Sequence, residues 1–415
     1  MRILYITHTF FPETLGVERS LGEALALRDL GHEVTILTAM PSYPLGRVFK
    51  GYRGRLFMRE HVQGLEVLRV RAFSAPNTGA IARSLSYASF SLASMAVGLF
   101  LRRRDLVMAA IPSMGTELAG VVVSRLKGSQ LLLELIDVLP ENLALVGVSG
   151  KSMMGRFLLA YYRLAYRLAD WIAVLCPAAG EVVAEMGIAP DRILLLPNGV
   201  DPVFRESTPP AQIRLCHGLK GKFVVVYAGS FSPYYQVPQI LAAARLLRPT
   251  HPHIHFVLLG SGEQWSEVDR VVRAESLTNV TLTGIVPREH VGGYFQAADL
   301  FIFSMVGDPM PRSYHDILTA KACEYLSVGR PIVSVEDGSV LAGLLEGIGA
   351  GVRVEPGNSV ALAEAIVSYA ADPPHCRQAG DAARNYAQHK LSRHIVVREF
   401  EQSLRQRMAM RAGFR

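Results

Sequence analysis

Short apolar runs alternate with helical spacings through both halves of the chain. In the first half, Ile3–Thr7, Glu33–Thr38, Leu65–Val70, Leu106–Ala110, Leu131–Ile136 and Trp171–Leu175 read as strands. Helical patterns fill the intervals; Glu18–Leu30 is one, stopped by Gly31. The pattern then restarts. Lys222–Gly229, His255–Gly260, Val280–Gly284, Leu300–Phe303 and Pro331–Val335 form a second set of strands, again with helices between. Alternation at this spacing gives right-handed βαβ units and doubly wound parallel sheets. The predicted class is α/β, with two Rossmann-like domains. The boundary falls at Asn198–Pro210, rich in Pro, Asp, Gly, Ser and Thr. This predicts an N-terminal domain over 1–200, a C-terminal domain over 201–390 and a helix over 391–415 packing back toward the N-terminal domain. Ligands of such sheets sit beyond the C-terminal strand ends, so the expected site is a cleft between the domains.

Composition narrows the class. The 415 residues are 50% hydrophobic and 19% charged, which supports large cores and excludes a disordered or fibrous chain. Cys176, Cys216, Cys323 and Cys376 show no CxxC spacing, so neither a disulfide scaffold nor a structural zinc site is expected. Met1–Thr7 runs straight into a strand pattern with no small-residue cleavage site behind it, and the expected compartment is the cytoplasm. The net charge of +7 is uneven. Residues 47–104 hold eleven basic residues against Glu60 and Glu66. Such a segment fits an anionic surface, or a solvated basic face. Nucleic acid is not the expected partner, because no finger, RNA-recognition signature or basic aromatic stripe is present. Ser84–Leu101 has eighteen uncharged residues but five serines. It reads as a helix buried in the domain or lying on a membrane, in preference to a span.

Several stretches carry candidate chemistry. Thr319–Val328 reads as a helix ended by Gly329, and its free N–H groups make an anion site. Lys321 in its first turn suits a diphosphate. Glu324, three residues on, suits the vicinal hydroxyls of a ribose. Asp316 lies in the loop leading into the helix. An ordinary surface helix with a Lys–Glu pair carries the same letters. Three loops follow predicted strands with glycine at the strand end: Gly229–Gln236, Gly260–Glu263 and Gly284–Pro287. Together they favour a nucleotide site, although GxGxxG and the Walker A sequence are both missing. In the first half, Phe11–Arg19 follows strand one and Asp137 ends another strand. Glu18, Arg19 and Asp137 can each serve as a helix or loop cap instead.

The order LGHEVTILT, DxxPE, LPNGVD, YAGS, LLGSGE, TGIVP and a Lys–Glu helix ending YLSVGRPIV resembles glycosyltransferase family 4, retaining enzymes of the GT-B fold. The bacterial N-acetyl-fucosamine (fucosamine) transferase branch of surface-polysaccharide assembly is the most similar part of that family. The resemblance implies that Glu324 holds the donor ribose and that Asp316, a shorter acid where Glu is usual, contacts the donor sugar. It implies that Lys321 binds the diphosphate, with Thr319 and Ala320 in place of Pro-Ser. It further assigns Ile285 and Val286 to base reading, Gly16 to the loop under the diphosphate, and Asp137 to the acceptor side. Ser230 and Gln236 stand where many relatives place Arg and Lys, and Val237 replaces the glycine that follows Gln in the fucosamine-type branch.

The implied reaction moves a sugar from a nucleotide sugar, UDP-linked, to a glycan or lipid-linked acceptor. Lys321, the helix N-terminus and the Gly16 loop stabilise the departing diphosphate, and no metal or other cofactor is expected. The implied location is peripheral, on the inner face of the cytoplasmic membrane. Rival readings are a nucleotide-sugar epimerase or phosphorylase on the same fold, and a non-catalytic sugar-binding scaffold.

Overall fold

The computed structural model describes the whole chain except residues 14–17, 44–45, 75–79, 112–114, 140, 142–148, 150, 202–207, 306–310, 315 and 414–415. The chain forms two units: Met1–Pro197 with Pro311–Tyr314 and Arg393–Arg415, and Asn198–Met310 with His315–Ser392.

The N-terminal unit runs β1 (Arg2–Ile6), α1 (Glu18–Asp29), β2 (Glu33–Ala39), β3 (Phe57–Val62), β4 (Leu65–Val70), α2 (Ala80–Phe100), β5 (Leu106–Ile111), α3 (Thr116–Lys127), β6 (Gln130–Leu135), α4 (Met153–Leu168), β7 (Trp171–Val174), α5 (Pro177–Glu185) and β8 (Ile193–Leu195). Its sheet has the order β3-β4-β2-β1-β5-β6-β7-β8. The pairings are parallel except β3 with β4. That hairpin turns on Gln63 and Gly64, both at positive φ (49° and 83°), as a two-residue turn demands. β3 is an edge strand of alternating exposure whose sequence, Phe-Met-Arg-Glu-His-Val, lacks the apolar run of a buried strand.

The C-terminal unit runs α6 (Pro210–Cys216), β9 (Phe223–Ala228), α7 (Val237–Thr250), β10 (Ile254–Leu259), α8 (Trp265–Ala274), β11 (Val280–Gly284), α9 (Arg288–Ala297), β12 (Leu300–Ser304), α10 (Ala320–Val328), β13 (Ile332–Val335), α11 (Val340–Ile348), β14 (Gly351–Val354), α12 (Ser359–Ala371) and α13 (Pro373–Tyr386). Its sheet is parallel throughout, in the order β11-β10-β9-β12-β13-β14. β9, β10, β12 and β13 are largely apolar runs because helices cover both faces. The strand order reverses between β9 and β12. The loops that follow those two strands therefore part there and leave a crevice, the place where such sheets hold ligands.

The last helix, α14 (Arg393–Gly413), belongs to the N-terminal unit. Its Val396, Val397, Phe400 and Leu404 complete the core against α1 and β1.

The basic segment is less uniform than its sequence predicts. Arg69 is fully buried, bonded to Glu60 at 2.5 Å and to the Phe11 carbonyl. Arg104 is mostly covered and paired with Glu33 at 2.7 Å. Arg59 pairs with Glu66. Ser84–Leu101 falls largely in α2, which packs on α3. Among the described residues, no helix is long and apolar enough to cross a membrane.

Candidate active site

Within the C-terminal unit, Gly229 and Lys321 come into contact, and Gly229, Gly260 and Gly284 are joined through their backbones. α10 opens on Thr319, whose Oγ1 accepts from the Ala322 amide at 3.2 Å, and it closes on Gly329 at φ 74°. That cap leaves the N–H groups of Ala320 and Lys321 at the open end, with the positive pole of the helix behind them. Asn198 steadies the approach to the helix by donating to the Leu318 carbonyl at 2.9 Å. Asp316 lies in the turn just before it.

Lys321 is the unusual residue of the site. Its Nζ is buried without a hydrogen-bond partner among the described residues. Instead it sits over the rings of Tyr235, Tyr227 and Phe303, at 4.4, 5.1 and 5.7 Å from their centroids. The rings favour the cation through their negative faces. Burial nevertheless pulls the amine down from 10.5 to about 8, opposed by the nearby Glu324 carboxylate. Gly229 makes room for it: a Cβ there would lie 2.4 Å from Nζ.

Gly260 has a different job from the one its sequence suggests. At φ 134°, a Cβ on it would lie 1.8 Å from the Gly229 carbonyl oxygen. The close approach is therefore between two loops of the protein. Gly260 also donates to the Gly284 carbonyl at 2.9 Å, which ties the three glycine loops together. Ser230 is exposed, and its carbonyl accepts from Tyr227 Oη at 2.8 Å. Gln236 precedes α7, and its carbonyl accepts from the Gln239 and Ile240 amides.

Ile285 is exposed and Val286 half-buried, in the loop between β11 and α9. Arg288, the first residue of α9, grips both carboxylate oxygens of Glu324, one of them at 3.3 Å. This partner was missed by sequence reasoning. Its only signal is position, directly after Pro287 at a helix start.

In the N-terminal unit, Asp137 lies just beyond β6 and accepts from the Tyr314 hydroxyl. Gly16 lies outside the described residues. Arg19 is a structural residue. It bonds Glu134 at 2.7 Å, Glu23 at 2.9 Å and the Leu196 carbonyl at 2.8 Å. Glu13 likewise serves the backbone, accepting from Phe10, Ser42 and Tyr43. Among the described residues, no three His, Cys, Asp or Glu side chains converge as metal ligands would.

Comparison with known proteins gives this geometry a family setting. Residues 16–199 match the glycosyl transferase 4-like domain, and residues 222–372 match glycosyl transferases group 1. A protein of Escherichia coli described as a colanic acid biosynthesis glycosyl transferase, WcaI, is 23% identical over 98% of this chain and 100% of its own length. D-inositol 3-phosphate glycosyltransferase from Pseudarthrobacter chlorophenolicus is 28% identical over 55% of this chain and 53% of its own. Among solved structures, Anabaena HepE in complex with UDP superposes with a TM-score of 0.68, at 17% identity, covering 98% of this chain and 100% of that one. WaaG, a glycosyltransferase involved in lipopolysaccharide biosynthesis, gives 0.63 at 15% identity, covering 96% and 98%. These likenesses in structure establish the GT-B fold of two parallel-sheet units. With both halves matched, the chain is a glycosyltransferase, with a glycosyl transferase 4-like domain followed by a group 1 domain.

Proposed function

We propose that the protein moves a sugar from a uridine diphosphate sugar to a hydroxyl of a glycan or lipid-linked glycan, with retention of anomeric configuration, in surface-polysaccharide biosynthesis. The observation that carries the donor reading is the buried Lys321 ammonium, without a hydrogen-bond partner among the described residues, in the first turn of α10. A diphosphate is the group that suits an ammonium and a helix N-terminus in the same turn. HepE is described in complex with UDP and with UDP-glucose, which supports the uridine nucleotide. WcaI and WaaG carry the names of colanic acid and lipopolysaccharide biosynthesis, which supports the acceptor class.

The chemistry follows from these donors. The bond from the anomeric carbon to the β-phosphate oxygen breaks, and negative charge grows on the phosphate. Lys321 and the amides of Ala320 and Lys321 hold that charge. The acceptor oxygen bonds the anomeric carbon from the same face, and its proton passes to the departing phosphate oxygen. No side-chain nucleophile and no metal are needed in this account. Glu324 accepts from the ribose hydroxyls, Ile285 and Val286 read the base through their backbone, and Asp316 contacts the sugar. Asp137 serves the acceptor. The resemblance to the N-acetyl-fucosamine transferase branch makes a UDP-linked 6-deoxy amino sugar the first donor to try.

The test is incubation with UDP-, GDP- and dTDP-sugars, reading nucleoside diphosphate release and, separately, calorimetric binding of each nucleoside diphosphate. UDP binding and UDP release are expected. Preference for GDP or dTDP overturns the donor assignment, and interconversion of the sugar without release overturns transfer.

A further inference from the structure

Three helices of the N-terminal unit turn apolar side chains toward solvent. α2 buries Phe90, Ser91 and Ser94 against the protein while Leu85, Leu92 and Phe100 are exposed, Phe100 by 92%. Ser91 Oγ donates to the Gly115 carbonyl at 2.7 Å, which makes its burial affordable. α3 packs on α2 and exposes Leu118 and Leu126. α4 packs on α3 and is the extreme case. Its Met153, Met154, Phe157 and Leu164 are 89, 59, 62 and 58% exposed, while Gly155, Leu158, Tyr162, Ala165 and Tyr166 face the core.

The charge on these helices has one sign. α2 and α4 contain no acid, and the only acid of α3, Glu117, is buried and accepts from Tyr161 Oη at 2.7 Å. The exposed cations are Arg83, Arg125, Arg156, Arg163 and Arg167, with Arg102 and Arg103 just past α2. Apolar residues set singly between arginines match the boundary between lipid headgroups and acyl chains. A second copy of the same face brings like charges together. A soluble polyanion meets the arginines but leaves Met153, Phe157 and Leu164 in water.

We propose that this face docks on an anionic phospholipid bilayer, with α4 inserting its Met153–Phe157–Leu164 stripe. The anchor is thus placed on α4, outside the 47–104 basic segment, where Arg69 and Arg104 are already engaged. The proposal needs no step of the transfer reaction, since binding is read on vesicles without donor or acceptor.

The test is co-sedimentation of the full chain with vesicles of phosphatidylcholine alone or with one-third phosphatidylglycerol, at low and high salt. Three variants are compared with the parent: Phe157→Ser with Leu164→Ser, Arg156→Ser with Arg163→Ser, and Arg47→Ser with Lys50→Ser and Arg55→Ser. All the changed residues lie on the surface, and an unchanged melting temperature confirms the fold. The parent is expected to bind anionic vesicles. The apolar pair should lose binding at every salt. The arginine pair should lose roughly fivefold per residue at low salt and little at high salt. The 47–55 triple variant should retain most binding. Failure of the parent to bind anionic vesicles overturns the proposal. So does binding lost in the 47–55 variant but kept in both α4 variants. A dimer by light scattering that α4 changes dissociate, with vesicle binding unaltered, assigns the face to a second copy and overturns it as well. UDP binding, unaltered in every arm, keeps this outcome separate from the donor assignment.

Discussion

Replacing Lys321 by Met should make the protein more stable at neutral pH while abolishing its response to UDP. The folded amine titrates at about 8 in place of 10.5, and holding it charged below that value costs roughly 3 kcal/mol. The three rings around Nζ return about 1–2 kcal/mol of that cost. Methionine fills the same cage without a charge, so a net gain of about 1–2 kcal/mol is expected near pH 7. The sign of the pH dependence follows from proton counting. Between about 8 and 10.5 the unfolded chain keeps the proton and the folded chain releases it, so the parent gains stability as pH rises. The variant has no such group, and its advantage should fade toward pH 10.5. Urea unfolding followed by fluorescence measures this, because Trp265 lies in the C-terminal unit and Trp171 in the other. Saturating UDP should raise the midpoint of the parent and leave that of the variant in place. A variant less stable than the parent near pH 7, or an advantage unchanged near pH 10, refutes the reasoning about the cage. Equal stabilisation of both proteins by UDP refutes the diphosphate contact.

Glu324→Ala should weaken UDP binding by about 1.5–3 kcal/mol, the range for hydrogen bonds to a charged group, and an unchanged dissociation constant in calorimetry removes Glu324 from the ribose. Gly260→Ala should destabilise the C-terminal unit by more than 1 kcal/mol, read as a lower melting temperature, because its Cβ meets a backbone oxygen that cannot move aside. Gly229→Ala should act on function as well as stability, since its Cβ displaces the Lys321 ammonium and crowds the buried Tyr227 hydroxyl; KM for the donor should rise and the melting temperature fall. Activity should persist in EDTA, and its full loss with recovery in magnesium or manganese shows that a cation, not Lys321 and the α10 amides, balances the diphosphate.

Much of the fold was legible from strands buried on both faces. Leu65–Val70 coincides with its predicted bounds, as does the half-buried edge strand Val280–Gly284, and the other predicted strands shift by a residue or so. β3, β8 and β14 escaped: β3 alternates polar residues on a hairpin edge, and β8 and β14 have only three and four residues. α10 was visible through its Gly329 stop, although Thr319, read as its first residue, caps it from outside. The lysine cage was not, because Tyr227, Tyr235 and Phe303 come from two loop-and-strand regions that only the sheet order brings together. Counting charges pointed to residues 47–104, yet it cannot tell the buried Arg69 from the exposed Arg55. It also overlooks α4, whose meaning lies in which face of the helix is covered.

The placement of α14 bears on how the molecule comes into being during synthesis. Val396, Val397, Phe400 and Leu404 belong to the first core but are made last, roughly two hundred residues after Pro197. At about 5–20 residues per second, the N-terminal sheet waits roughly 10–40 s with one apolar flank uncovered. A nascent N-terminal unit is thus a natural client for chaperones. A chain cut short anywhere in the C-terminal unit should leave behind an aggregation-prone fragment, so full-length synthesis becomes a condition for a soluble first half.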